Sequence, residues 1–535
     1  MRLGGAKSAA LDSGGKTCYN NKVVFLRKKS AFRGSDAAMK EYLMALDQGT
    51  TSSRCIIFDR AGNMVAKAGR EFTQYFPQEG YVEHDAEEIF ESQLSVAKRA
   101  LQESGLSLAQ IAAIGITNQR ETTVVWEKKT GKPVCHAIVW QCRRTAPACD
   151  RLREAGYEEM IRQKTGLTID PYFSATKLDY ILSHIDGARR RAEQGELLFG
   201  TIDSWLIYKL TGGRVHATDP SNAARTMLFN IHTMQWDEEL LKLFRIPACM
   251  MPQVLPSSGL FGQTDPALLG AAVPIAGVAG DQQAALFGQC CFEKGQVKNT
   301  YGTGGFLLMN TGEVPVASSH GLLTTVGWQI GDRVTYVLEG SVFVCGAAIQ
   351  WLRDGLGLIG NARESEALAA SVKDTGGVYF VPAFVGLGTP WWDPYARGII
   401  TGISRGTTRA HLTRATLEAM AFQTVDVIDA MQKDTGLPVP ALRVDGGASA
   451  NDLLLSMQSD FLGLPTLRPS CVETTAKGAA CLAGLATGVF SSLEDIAAHS
   501  RIEHTFTPSI GEKERRARLE DWHFAVHRAL LKKGE

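Results

Sequence analysis

The sequence is short of several things, and each shortage excludes a class of protein. No apolar run approaches the roughly 18 residues that a membrane-spanning helix needs. Neither sign of charge is in excess, because 56 Lys and Arg balance 56 Asp and Glu. A nucleic-acid binder carries a basic surplus, so nucleic acid is not expected as the main partner, although a local basic patch stays open. The eleven cysteines contain no C-x-x-C pair and no zinc-ligand rhythm. They read as buried free thiols in a reducing compartment, which implies a cytoplasmic protein. The final Lys532-Lys533-Gly534-Glu535 carries no lipidation or retention signal.

What is present is ordinary globular composition, 44% hydrophobic and 21% charged, in a chain of 535 residues. A single core stops growing near ~250–300 residues, so two large domains are expected. Residues 1–38 differ from the rest. They hold eight Lys or Arg against two Asp, are rich in Gly, Ser and Ala, and are expected to be a disordered or non-native extension. Within them, Ala10 to Thr17 (ALDSGGKT) imitates a Walker A loop. No buried strand precedes it, no helix follows and its first glycine is missing, so the match is read as chance.

Two segments further on share one design. Tyr42–Leu46 leads through Asp47-Gln48-Gly49-Thr50-Thr51-Ser52-Ser53-Arg54 into Cys55–Phe58; Val297–Tyr301 leads through Gly302-Thr303-Gly304-Gly305 into Phe306–Met309. Each is an extended run, a tight Gly/Thr turn and a second extended run, which predicts a β-hairpin. Their separation by about half the chain suggests two domains of like topology, facing each other with one turn apiece. Such turns suit phosphate: glycine admits close backbone approach, Thr and Ser hydroxyls add neutral donors, and Asp47 is placed to hold Mg²⁺. A third loop, Arg443 to Asn451, joins a strand-like Leu442–Val444 to a helical Asp452–Leu462 through Gly446-Gly447, a joint that suits a nucleotide.

Together the three loops resemble the phosphate and adenosine motifs of the actin-like ATPase superfamily. Longer stretches resemble the FGGY carbohydrate kinases within it, in particular their glycerol-phosphorylating branch. These are Ala45–Arg54, Gly115–Thr123, Val139–Arg144, Asp170–Ser174, Gly280–Gly288 and Trp392–Gly398, and the likeness runs from about residue 40 to about 530. The resemblance implies an α/β fold of two actin-like (ribonuclease H-like) domains around an interdomain cleft. A glycerol- and phosphate-binding domain would span 39–290 and a nucleotide-binding domain 291–535.

It also implies site residues. Asp281 falls where the family has its general base, for which kinase chemistry needs a carboxylate beside the attacking hydroxyl. Arg120, Glu121, Tyr172 and Gln282 match polar contacts to glycerol, while Trp140 and Phe306 match the aromatic walls over its carbons. Thr50, Thr51, Ser52, Arg54 and Thr303 match phosphate contacts, and Gly346, Gln350, Gly447 and Asn451 the adenosine side. The implied reaction is ATP- and Mg²⁺-dependent phosphorylation of glycerol to sn-glycerol 3-phosphate, in a homodimer or homotetramer.

The pattern departs from the family in places. Leu268–Val273, where some bacterial relatives bind fructose 1,6-bisphosphate, has no arginine, so that control is expected to be weak or absent. His232 matches a histidine that other relatives phosphorylate, but members without this control carry it too. Gly305 stands where cysteine is common. Two rival functions remain: an FGGY kinase of a pentulose, and an actin- or Hsp70-like ATPase, which the helical tail after about residue 490 leaves little room for.

Overall fold

The computed structural model describes residues 41–393 and 395–530; the extension, its Walker A imitation and the last five residues lie outside the described residues. The expected repeat is plain in the main sheet. In the first half, Tyr42–Gln48 pairs antiparallel with Ser52–Phe58, which pairs antiparallel with Met64–Glu71. On its other side Tyr42–Gln48 runs parallel to Ile111–Asn118, and that strand runs parallel to Pro274–Gly280. Ser258–Gln263 closes this half in antiparallel fashion.

The second half repeats the order. Val297–Tyr301 pairs antiparallel with Gly305–Gly312, and that strand with Arg333–Val342. Its other neighbour is the parallel Leu442–Asp445, followed by the parallel Thr466–Pro469 and the antiparallel Ile502–Phe506. Leu323–Ile330 adds to the hairpin side and meets the first half through the single pair Ser258 and Ile330. Thirteen strands therefore form one continuous sheet in which each half keeps a hairpin on one side and parallel strands on the other. The central parallel strand Ile111–Asn118 is buried along its whole length, as a strand covered on both faces must be.

Each half has its own apolar core, around Met420, Phe422, Phe461 and Trp522 in the second and around Ile116, Trp126 and Trp205 in the first. A further cluster joins them. There the helix Thr474–Thr487, late in the sequence, packs on Leu43, Ala45 and Ala113 of the first half and against the helix Asp281–Gly288. The approach is so close that glycine is obligatory. A Cβ on Gly478 would lie 1.8 Å from the Ala284 carbonyl, one on Gly288 2.0 Å from that of Thr474, and one on Gly115 2.1 Å from that of Ala479. Contacts under 3 Å are never made by real side chains, so backbone packs directly on backbone. This contact holds the helix that begins with Asp281, by its far end, against the second half of the chain.

Candidate active site

The first phosphate hairpin forms as expected. Gln48 pairs with Ser53, Asp47 with Arg54, and the Gly49 amide donates to the Ser52 carbonyl at 3.0 Å. Thr51 is exposed and Thr50 and Ser52 are half-buried at the turn. Asp47 lies just inside, its side chain 8% exposed and its carboxylate 3.7 Å from the Arg54 guanidinium, which is also 3.7 Å from Glu473. Burial, reinforced by Glu473 and Asp281 and only partly offset by Arg54, raises the Asp47 carboxyl to about 6. Three carboxylates gathered against Arg54 and Lys67 make a site with unmet demand for positive charge. Among the described residues no group of three or more His, Cys, Asp or Glu could chelate a metal unaided. The donor set therefore suits Mg²⁺ held by one or two carboxylates together with substrate phosphates.

Asp281 occupies the first turn of its helix. Gly280 takes the N-cap position, and the Gly280 amide donates to Ser221 Oγ at 2.9 Å. The strand Pro274–Gly280 ends there beside Asn118 of the neighbouring strand, so the Asp281 side chain emerges at the end of the sheet, 33% exposed. Its two oxygens are held separately. Oδ1 is 3.1 Å from Arg120 Nε and accepts from the Gln282 amide at 2.8 Å; Oδ2 accepts from Gln282 Nε2 at 3.0 Å.

Arg120 and Glu121 follow the strand Ile111–Asn118, and Glu121 takes a left-handed conformation, φ 60°, that no glycine relieves. Both are buried within a cluster of four charges. Arg120 donates from Nη1 and Nη2 to the two oxygens of Glu339, and Arg225 donates from Nε to Glu121 at 2.6 Å and from Nη2 to Glu339 at 3.1 Å. Burial alone would raise the Glu339 carboxyl, but Arg120 and Arg225 outweigh it and hold it at about 2. Glu339 comes from the second half and both arginines from the first, so the cluster ties the halves together at the site. Arg120 Nη1 also donates to Gln283 Oε1 at 3.3 Å, Nη2 keeps a second N–H, and Nε faces Asp281.

The aromatic residues gather beside it. Trp140 and Tyr172 meet edge to face at 5.5 Å, and the Arg225 guanidinium lies 5.3 Å from the Tyr172 ring. Burial and the nearby Glu121 push the Tyr172 phenol upward, so it remains a proton donor. Trp140 Nε1 donates to Thr50 Oγ1 at 3.0 Å, linking this wall to the first phosphate turn. Phe306 is half-buried on the strand Gly305–Gly312. A Cβ on Gly305 would lie 2.9 Å from Cys345 Sγ, so in this chain Cys345 occupies the space beside that departure from the family pattern.

The residues expected on the adenosine side, Gly346, Gln350, Gly447 and Asn451, line one cavity of ≈ 700 Å³ together with Thr303, expected at the phosphates. The second hairpin turn abuts the helix Gly346–Asp354, whose first amides donate to it: Gly346 to the Gly302 carbonyl at 3.0 Å and Ala347 to that of Thr303 at 3.1 Å. Asn451 also caps the helix Asp452–Leu462, its side chain accepting from the Leu454 amide at 2.8 Å.

Several neighbours escaped the sequence reading: Glu339, Arg225, Lys298, Gln283 and Glu473. A lone charge inside an apolar strand, as in Val337-Leu338-Glu339 or Val297-Lys298, was the available signal, because an ion in such a strand must be paired. His232 is exposed, with Nε2 on the Gln163 carbonyl at 2.9 Å, outside this constellation.

A repeated two-lobed α/β fold, a phosphate-type hairpin from each half and a carboxylate between them define a phosphotransferase of the kinase class. The N-terminal domain of the FGGY family of carbohydrate kinases matches residues 42–288 and its C-terminal domain residues 297–487. The chain belongs to the FGGY family of carbohydrate kinases. It is 59% identical to glycerol kinase 2 of Thermotoga maritima over 490 residues, 92% of this chain and 99% of that one. It is 60% identical to the glycerol kinase of Symbiobacterium thermophilum, over 92% and 98%. Among solved structures, the Plasmodium falciparum glycerol kinase with ADP matches at TM-score 0.87 and 34% identity, covering 93% of this chain and all of that one. A Lactobacillus acidophilus xylulose kinase, at TM-score 0.82 and 21% identity over 91% and 98%, shares the fold. No helix among the described residues is long and apolar enough to cross a membrane.

Proposed function

We propose that the protein transfers the γ-phosphoryl group of ATP to glycerol, giving sn-glycerol 3-phosphate and ADP. The observation that carries this reading is the contact of Arg120 with Asp281 at 3.1 Å, beside Glu121 and the Tyr172–Trp140 pair that Arg225 links to it, in a chain about 60% identical to glycerol kinases. A triol needs donors and acceptors at fixed angles and an apolar surface for its carbons. Arg120 supplies the donor, Glu121 the acceptor, Tyr172 and Gln282 further polar contacts, and Trp140 and Phe306 the surface.

Asp281 accepts the proton of the attacking hydroxyl. A bond forms between that oxygen and the γ-phosphorus, the bond from the γ-phosphorus to the β,γ-bridging oxygen breaks, and ADP leaves with the electron pair. Thr50, Thr51, Ser52, Arg54 and Thr303 place the phosphates; Gly346, Gln350, Gly447 and Asn451 hold the nucleoside in the cavity. Mg²⁺, held at Asp47, would neutralise charge on the phosphates. Two lobes closing on the cleft would exclude water, the competing acceptor. The reading includes a first domain over 39–290 and a second over 291–535, which the separate cores support. A cytoplasmic homodimer or homotetramer belongs to it as well, and ten free cysteines among the described residues, most of them buried, support the reducing location.

The test is product identity. Purified protein with Mg-ATP and glycerol, coupled to a dehydrogenase specific for sn-glycerol 3-phosphate, should give one equivalent of reduced nicotinamide per ADP. ADP release without that signal would overturn the assignment of product.

A further inference from the structure

We infer that Lys298 is a positioning residue for the reaction: from the second half of the chain it clamps the Gln282 amide, and through it the outward oxygen of Asp281. The inference rests on Asp281 being the base. Lys298 stands fully buried on the strand Val297–Tyr301. All three of its ammonium donors are used, on Gln282 Oε1 at 2.5 Å, Thr300 Oγ1 at 2.9 Å and the Phe306 carbonyl at 3.2 Å. A primary amide whose oxygen is pinned has its nitrogen fixed as well. Gln282 Nε2 then points at Asp281 Oδ2, at 3.0 Å, and cannot flip to present its oxygen to the carboxylate.

The geometry has a chemical consequence. A base must present one oxygen at a fixed angle to the attacking hydroxyl. Arg120 Nε and the Gln282 amide hold Oδ1, and Gln282 Nε2 holds Oδ2. Without Lys298, Gln282 is free to rotate and the carboxylate gains a rotor. The same ammonium holds the Phe306 carbonyl, so one group from the second half sets both the base and the aromatic wall. A buried ammonium has to be held by acceptors, and those of Lys298 lie on the residue beside the base and on the aromatic wall.

The charged groups facing Lys298 are Asp445, Asp281 and Glu339, which favour its ammonium form, and Arg120, which opposes it; burial dominates and brings it down to about 8. A neutral amine has two N–H donors and cannot satisfy three acceptors. Loss of the clamp therefore falls within reach of a pH profile, which a purely structural residue would not move.

The experiment compares Lys298→Met, Gln282→Leu, the double variant and Asp281→Asn by steady-state kinetics from pH 6 to 10, with glycerol binding measured by calorimetry. Lys298→Met is expected to lower kcat by roughly tenfold to a hundredfold, the scale of a slightly misplaced reacting group, with the glycerol Kd within about threefold of the parent. Wild-type kcat is expected to fall as pH rises through about 8, and that fall should vanish in this variant. Gln282→Leu should match it in kcat, and the double variant should be no slower than the worse single one. Parent-like kcat with an unchanged alkaline limb in Lys298→Met overturns the inference. Should that variant fail to fold, parent-like kcat in Gln282→Leu overturns it equally. If Asp281→Asn keeps its turnover, the base itself is misassigned; if it alone is inactive, only the role of Lys298 is lost.

Discussion

The two sides of the cleft are built on opposite principles. Around Asp281 the protein uses buried charge: Arg120, Glu121, Arg225 and Glu339 are each under 4% exposed and pair with one another across the halves. Around the ≈ 700 Å³ cavity it uses small residues and backbone, with Gly302, Gly346 and Gly447 on the wall and helix amides closing the turn, and the charged residues there, Arg353, Arg363 and Glu366, are exposed or half-buried. The difference follows from the ligands proposed. A small neutral triol brings no charge, so its orientation must be fixed by groups already held rigid. A nucleotide brings its own charge and bulk, and needs shape and close backbone approach.

Four substitutions would break or sharpen that contrast. The largest effect belongs to Asp281→Asn, expected to lower kcat by about 10²–10⁴-fold while calorimetry finds glycerol and ATP binding nearly intact. Near-parent turnover would remove Asp281 from the role of base. Next is Glu339→Gln, which leaves two buried guanidiniums without their shared counter-charge. Urea unfolding should show a loss of about 3–5 kcal/mol, and KM should rise for glycerol more than for ATP. An equal rise for both would deny that the cluster serves the acceptor side.

Asp47→Asn separates stability from activity. The folded Asp47 carboxyl is raised from 3.8 to about 6. The proton-linked stability is therefore whole below pH 3.8 and lost as pH rises to about 6. The ligand-free variant should gain on the parent across that window, by about 2–3 kcal/mol above it, while Mg-ATP turnover collapses. Thermal melts at pH 4 and 7 check the first half of this statement, and a flat difference between them would refute it. The smallest effect is that of Gly346→Ala, whose Cβ would lie 2.6 Å from the Gly302 carbonyl. Displacing the second turn should raise KM for ATP by about tenfold, the scale of a modest overpacking, and leave KM for glycerol unchanged.

Much of this was legible beforehand because it is local. Both hairpins declare themselves by a Gly/Thr turn between apolar runs, and the strand–turn–helix around Gly446-Gly447 formed where its pattern begins and ends. The repeat of sheet order followed from the spacing of those hairpins. What stayed hidden is non-local. Glu339 lies 219 residues from Arg120, and nothing in either segment names its partner. Lys298 read as one more residue of a hairpin strand, because a buried ammonium is recognised only once its acceptors are in place. The seat of Thr474–Thr487 is equally non-local, since Gly478 matters only where it meets the Ala284 carbonyl.

The most direct test of the account is ADP release by the purified protein with Mg-ATP, measured with glycerol, with a set of ketopentoses and with no acceptor. The account predicts strong stimulation by glycerol and little by the others. Stimulation by a ketopentose instead would keep the fold and Asp281 but contradict the pocket of Arg120, Glu121, Trp140 and Tyr172, and hydrolysis indifferent to acceptor would contradict the kinase reading itself.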